Sequence, residues 1–341
     1  MGYQLKRPAM DEILARLSET YEIYAPKVFE LDSRFSDQDT IRYGKVSSVD
    51  EIVFDRQSDY SFKETLLPVN ETLFYFTEDQ TSIPAGPQKD LLIFAKSCDL
   101  HALKRLDQIY LNNGPEDFYY KRIRERAHFV LIGCETPCEN GFCADMGTNR
   151  CEDYALYVKV EGDSVFVDVK EEAFAACFKD ACDRETVVEP DYVTENNEHV
   201  TLPRQLTPEI CKDPIWESYG SRCILCGRCN FACPTCTCFT MQDIHYKDNG
   251  NVGERRRVWA SCQVDGYTDI AGGGSFRKTA ADRMRFKVLH KIYDYEKRFG
   301  YPMCVGCGRC DKICPEYISY SAVVNKLAAK ENEEKGGSIS E

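Results

Sequence analysis

Two runs of cysteine stand out in the C-terminal third of the chain. The first is Cys223, Cys226, Cys229 and Cys233, followed by Pro234; the second is Cys304, Cys307, Cys310 and Cys314, followed by Pro315. Both have the spacing Cys-x2-Cys-x2-Cys-x3-Cys-Pro. Soft thiolates at such intervals suit the corners of an iron–sulfur cube. A two-residue gap lets three successive sulfurs wrap one cube, but the fourth, three residues on, cannot easily close it. In two-cluster ferredoxins that fourth cysteine ligates the other cube. The spacing therefore predicts one [4Fe-4S] cluster on Cys223, Cys226, Cys229 and Cys314, and a second on Cys304, Cys307, Cys310 and Cys233. Four-Cys zinc sites are built from paired Cys-x2-Cys knuckles, a pattern these runs fit badly. Cys229, Cys233 and Cys236 also spell Cys-x3-Cys-x2-Cys, the spacing of radical enzymes, but they share their residues with the first ferredoxin run.

The N-terminal part holds a second set of thiols. Cys98 and Cys134 each follow a short apolar run with the look of a buried strand, Leu91–Phe94 and Phe129–Ile132. Two parallel strands ending in cysteine would bring both thiols to one sheet edge, where ligands commonly bind. Cys138 and Cys143 follow in a loop that can fold back over that edge, so a third [4Fe-4S] cluster is expected on Cys98, Cys134, Cys138 and Cys143. His101 fits a surface or capping residue better than a ligand. Cys236, Cys238 and Cys262 lie between the two C-terminal runs and read as buried small side chains, as cluster ligands, or as groups that tune a nearby cluster. Arg255, Arg256 and Arg257 read as a solvated face or as a docking patch for an acidic partner, and Trp259 as core. Cys151, Cys177, Cys182 and Cys211 have no ligand spacing. The chain carries no phosphate-cradling glycine loop, and Gly272-Gly273-Gly274 reads as a turn. No catalytic residue set is apparent among only five histidines.

These residues must be positioned by a chain of 341 residues, 43% of them hydrophobic and 12% aromatic, enough for a sizeable core. Residues 5–19 read as an amphipathic helix with Leu5, Ile13, Leu14 and Leu17 inward. Short β-like pieces follow at Glu22–Ala25, Ile41–Val46 and Glu51–Phe54. Leu100, Leu103, Leu106, Ile109 and Tyr110 repeat at helical spacing between the two apolar runs, giving strand, helix, strand. Ala155–Val160 and Ser164–Val169 alternate around Glu161-Gly162-Asp163 as a hairpin should. Polar, proline-punctuated sequence from Glu185 to Pro208 marks a domain boundary. Roughly seventy residues separate the two cysteine runs, far more than in a small bacterial ferredoxin, and much of that stretch has helical character. Met284, Val288, Ile292, Tyr295 and Phe299 form an apolar stripe within it, and Tyr317–Ala329 reads as a further helix. The expected class is α+β: an N-terminal mixed α/β domain over 1–205, a mostly helical two-cluster ferredoxin domain over 206–330, and a flexible tail over 331–341.

A net charge of −13 argues against a nucleic-acid partner. No run approaches the length of a membrane span, and the N-terminus lacks the apolar stretch of a secretion signal. Nineteen cysteines in such a chain point to metal chemistry in the cytoplasm rather than to disulfides.

Taken together, residues 97–110 (SCDLHALKRLDQIY), 131–148 (LIGCETPCENGFCADMGT), 222–244 (RCILCGRCNFACPTCTCFTMQDI), 254–277 (ERRRVWASCQVDGYTDIAGGGSFR) and 304–318 resemble the A subunits of anaerobic sulfite reductases. Iron–sulfur subunits of cytosolic nickel–iron hydrogenases are broader relatives. The resemblance implies an electron-transfer subunit. It would stand between a flavin subunit that oxidises NADH and a sirohaem subunit that reduces sulfite to sulfide. Hydrogenase-type relatives read Asn-Cys-Phe-Cys where this chain has Asn140-Gly141-Phe142-Cys143, so a usual ligand position is glycine and Cys138 is the available substitute. A hydrogenase-type complex, or a cluster-bearing sensor or scaffold without catalysis, are the alternatives.

Overall fold

The apolar runs at Leu91–Phe94 and Phe129–Ile132 form the middle of a mixed eight-stranded sheet. The computed structural model describes residues 1–33, 37–246 and 249–337. Its strands are β1 (Gly2–Lys6), β2 (Tyr21–Phe29), β3 (Thr40–Lys45), β4 (Asn70–Phe76), β5 (Thr81–Ser82), β6 (Asp90–Ala95), β7 (Ala127–Ile132), β8 (Leu156–Glu161), β9 (Ser164–Val169), β10 (Arg184–Glu185), β11 (Phe239–Tyr246) and β12 (Asn249–Trp259), with a two-residue pair, β13 (Asp269–Ile270) and β14 (Gly274–Ser275). The large sheet has the order β10-β1-β9-β8-β7-β6-β2-β3. Its four central strands β8, β7, β6 and β2 pair in parallel, and the flanking pairs are antiparallel. Strands buried on both faces lose the period-two pattern, so β6 from Leu91 and β7 from Phe129 are continuously apolar. The helix Ser97–Tyr110 links them and buries Leu100, Leu103 and Leu106. β8 and β9 form the expected hairpin, with Gly162 at φ +56° supplying the left-handed turn residue.

Three local expectations change. The helix expected over 5–19 is the strand β1 followed by a helix at Arg7–Leu17. Pro8 lacks an N–H and so belongs in a helix's first turn, which stops the helix from reaching back to Leu5. Leu5 is buried as expected, but opposite Val165 in the sheet. Glu51–Phe54 is not a strand. A 3-10 turn covers Val49–Glu51, and the Glu51 carboxylate accepts the Ser47 N–H, which favours a tight turn. The helix expected from Tyr317 starts at Tyr320, because Tyr317 is held at φ +49°.

The stretch between the cysteine runs departs most from expectation. Part of it, β11 and β12, is an antiparallel ribbon in a second sheet of order β11-β12-β4-β5. Of its three arginines Arg255 is exposed and Arg256 half-buried, and only Arg257 departs from a solvated face. Arg255 makes two 2.7 Å bonds to the Asp243 carboxylate across the ladder, and Arg256 pairs with Glu254. Arg257 is buried against Glu71 at 2.8 Å and Asp117 at 2.6 Å. Losing one partner of such a buried pair costs about 3–5 kcal/mol, so Arg257 is a structural tie. The Trp259 indole N–H donates to the Leu67 carbonyl, and the Lys63 ammonium lies 4.1 Å from its ring centre.

Two compact units emerge, and the chain passes between them more than once. One is Met1–Thr136, Asn149–Val193 and Phe239–Trp259, which contains both large sheets; the other is Pro137–Thr148, Thr194–Cys238 and Ala260–Glu341. A single break at 205 is therefore replaced by several crossings, because β12 completes a ladder with β4 far away in sequence. The second unit is mostly helical around Trp216, Tyr219, Met284, Val288, Ile292, Val323 and Leu327. A capping box at Thr279 and Asp282 starts the helix Ala280–Leu289. The stretch expected as a tail is helical as far as Gly337, with Glu331 buried and accepting the Arg204 N–H; residues 338–341 lie outside those described. The whole is an α+β protein. Among the described residues no helix is long and apolar enough to cross a membrane.

Candidate metal centre

The two ferredoxin runs fold alike. In the first, Leu225 at φ +57° and Gly227 at φ +74° precede a short helix at Arg228–Ala232; in the second, Gly306 at φ +64° and Gly308 at φ +72° precede Arg309–Lys312. Left-handed residues at alternate positions turn the backbone sharply around the sulfurs, a shape that glycine adopts without strain. The second run is also clamped by the segment Pro137–Thr148. The Phe142 N–H donates to the Gly306 carbonyl at 2.7 Å, and the Thr148 hydroxyl donates to the Val305 carbonyl at 2.6 Å. A Cβ on Gly308 would come within 2.2 Å of the Asn140 carbonyl oxygen, so that approach requires glycine.

The thiols fall around two small cavities. One, of about 40 Å³, is lined by Cys223, Cys226, Cys229 and Cys314, with Cys310 beside them. The other, of about 20 Å³, is lined by Cys233, Cys304, Cys307 and Cys310. Each set thus draws three cysteines from one run and one from the other, and the helices Arg228–Ala232 and Arg309–Lys312 pack together to bring them there. Among the described residues no three His, Cys, Asp or Glu side chains converge closely enough to hold a single metal ion. The thiols surround a space rather than a point, as the separated corners of a cluster require.

Two lysines were not foreseen. Lys287 and Lys291 are 5% and 4% exposed, yet Lys287 lines both thiol cavities and Lys291 the second. Burial works against their charge, but the thiols of Cys229 and Cys310 beside Lys287, and those of Cys233, Cys236 and Cys304 beside Lys291, hold both ammonium groups above the ordinary lysine range. Lys291 also donates to the Thr235 hydroxyl at 2.8 Å. The signal was present in the sequence: positions 287 and 291 fall at helical spacing beside Met284, Val288 and Ile292, so two charges sit on an apolar stripe. A π-helical turn at His290–Asp294 interrupts that helix. The Lys291 carbonyl accepts the N–H groups of both Met303 and Cys304, at 2.8 and 3.1 Å, which anchors the start of the second run. Such bulges recur at functional sites.

The thiols themselves are costly to ionise without a counterion. Burial pushes Cys304 up to about 11, and raises Cys223, Cys229 and Cys310. The backbone N–H of Gly306 points at the Cys304 sulfur at 3.4 Å and favours thiolate there, and the Ile318 N–H lies 3.4 Å from the Cys314 sulfur. Buried cations, amide donors and clustered thiols together fit an anionic metal–thiolate group, since an isolated buried ammonium would be expensive.

In the first unit, β6 and β7 are adjacent and parallel, and Cys98 and Cys134 follow their C-terminal ends as expected. Cys98 sits in the first turn of the helix Ser97–Tyr110 rather than on the strand. The Lys96 ammonium lies 3.6 Å from the Cys134 sulfur. Cys138 and Cys143 belong to the second unit, in the segment that clamps the second ferredoxin run. His101 is no thiol partner: its Nε2 lies 2.8 Å from the Arg150 carbonyl oxygen. Cys151 is buried, and burial raises its thiol.

Interleaved four-cysteine runs around paired cavities, with cations buried beside them, define an iron–sulfur electron carrier. Residues 222–318 match the family model of the 4Fe-4S dicluster domain. The chain is 30% identical over 339 residues to the sulfhydrogenase 2 subunit beta of Pyrococcus furiosus, in an alignment that takes in 93% of this chain and 95% of that one. It belongs to that family of iron–sulfur β subunits. No solved structure matches it.

Proposed function

We propose that this chain is the electron-transfer subunit of a cytoplasmic anaerobic sulfite reductase. It would receive electrons from an NADH-oxidising flavin subunit and pass them to a sirohaem subunit. The observation that carries electron transfer is the crossed set of thiols: Cys223, Cys226, Cys229 and Cys314 around one cavity, Cys304, Cys307, Cys310 and Cys233 around the other. These residues would each hold one [4Fe-4S] cluster, whose chemistry is the storage and release of single electrons. Cys310 lines both cavities, so a short path joins them. Lys287 and Lys291 favour the added negative charge of the reduced state, and the Phe142 clamp holds the second run against water. Cys98, Cys134, Cys138 and Cys143 are proposed for a third cluster. No catalytic residue is assigned to this chain.

Sulfite as the terminal acceptor rests on the resemblance of residues 97–110, 131–148, 222–244 and 254–277 to anaerobic sulfite reductase A subunits. Sulfite takes six electrons to become sulfide and a hydride delivers two, so three hydrides supply one reduction, and the clusters would pass those electrons on one at a time. A second reading, a subunit of a hydrogenase-type complex, is favoured by the similarity to the sulfhydrogenase β subunit. Anaerobic purification of the intact complex tests both. Sirohaem absorbance with NADH-dependent sulfite consumption supports the first; nickel without sirohaem supports the second. Zinc in place of iron and sulfide would overturn electron transfer, as would clusters that no flavin partner reduces during turnover.

A further inference from the structure

The second unit contains another thiol-lined cavity, of about 180 Å³, larger than the 40 and 20 Å³ spaces framed by the ferredoxin runs. Cys236, Cys238 and Cys262 line it, together with Asn230, Lys287 and Lys291. Cys236 and Cys238 leave the first run as Cys-Thr-Cys. The Cys238 carbonyl accepts the Ala260 N–H at 2.9 Å, which fixes it beside the segment bearing Cys262. Inert cysteines would face apolar neighbours. Cys262 instead faces groups that stabilise negative sulfur, and all three share the cavity with two buried lysines. Asn230, 1% exposed, donates its side-chain N–H to the Cys262 sulfur at 3.0 Å. Gln263, 1% exposed and anchored by a 2.8 Å bond to the Arg283 carbonyl, reaches the same sulfur at 3.8 Å. Two buried ammonium groups close one side.

We propose that Cys236, Cys238 and Cys262 hold a further iron–sulfur cluster, additional to those of the two ferredoxin runs. Three observations select a cluster over a single ion: the thiols surround a roomy cavity, they do not converge on a point, and the cations beside them match an anionic group. Each thiol would lose its proton on binding. Three cysteines leave one corner for a ligand that is not cysteine, unlike the four-thiol sets of the ferredoxin runs. Lys287 lines all three cavities and Lys291 two of them, so the same cations would serve every cluster in this unit. The proposal rests on the iron–sulfur nature of the chain and not on sulfite as its acceptor.

The test uses the full chain, purified anaerobically, with Cys236→Ser, Cys238→Ser and Cys262→Ser made separately. Each is expected to lose about four iron and four sulfide per chain relative to the unaltered protein, four iron being one cube. One set of electron paramagnetic resonance signals should vanish while those of the ferredoxin clusters persist. Unchanged iron and sulfide in all three variants would overturn the proposal. Loss of eight or more iron in all three would overturn it equally, by making these thiols supports of the ferredoxin pair rather than ligands of a separate cluster. Cys226→Ser serves as the control: full iron content there would instead overturn the assignment of the first ferredoxin run, whatever the other variants do.

Discussion

Replacing Lys287 by methionine isolates the electrostatic role of the buried lysine. Methionine is close to lysine in length and leaves the apolar stripe intact, so the change removes mainly a charge. Lys287 is 5% exposed, lines both ferredoxin cavities and is held positive by the thiols of Cys229 and Cys310. An electron added at about 4–8 Å from that ammonium, at an effective dielectric of about 20, is stabilised by about 2–4 kcal/mol. For a one-electron couple this corresponds to about 90–180 mV. Lys287→Met should therefore lower both ferredoxin-cluster potentials by about 100 mV, read by anaerobic redox titration with magnetic resonance detection. Lys291→Met should act mainly on the cluster of the second run, because Lys291 faces Cys233 and Cys304 and does not line the first cavity. Thermal stability should fall as well, by about 3–5 kcal/mol, since removing one partner of a buried pair leaves the other uncompensated. Potentials that stay within about 20 mV, or that rise, would show that these lysines do not set the energy of the reduced clusters.

Two further outcomes follow from the same region. Gly308→Ala places a Cβ against the Asn140 carbonyl oxygen at φ +72°; the combined strain should cost about 1–3 kcal/mol and release iron from the second run first, measured as iron per chain after mild heating. His290 is stacked on Phe286, and burial, reinforced by Lys291 and Arg277, lowers its pKa to about 4. The folded chain therefore resists the proton that the unfolded chain accepts near pH 6.5, so this stability is complete above 6.5 and is lost as pH falls from 6.5 towards 4. Wild type should lose about 1 kcal/mol between pH 7.5 and 5.5 relative to His290→Gln, by denaturant melts at the two pH values; parallel loss in both proteins would refute it.

The centre was legible from spacing because ligand spacing is a local property. Three thiols two residues apart can meet a cube in few ways, and the proline after each run ends the short helix that carries them. The parallel strands before Cys98 and Cys134 were legible for a similar reason, since a strand buried on both faces must be apolar throughout. What sequence concealed was pairing at long range. Arg255, Arg256 and Arg257 look alike in a row, yet Arg257 is buried against Glu71 and Asp117 while Arg255 and Arg256 meet Asp243 and Glu254, and the register against β4 shifts between Arg255 and Arg256. No local pattern names Glu71 as the partner of a residue so distant in the chain. The Pro137–Thr148 segment shows the same limit: nothing local in it names Val305 and Gly306 as its hydrogen-bond partners. Lys287 and Lys291 fall between the two cases. Their helical register was readable, and two ammonium groups on an otherwise apolar stripe are tolerable only beside concentrated negative charge. In an acidic protein the expected source is carboxylate, but here their nearest anionic neighbours include thiols of both cysteine runs. A charged residue placed on the buried face between two metal-binding runs is thus itself a sign of where the clusters lie, because the cation and the metal–thiolate group each make the burial of the other affordable.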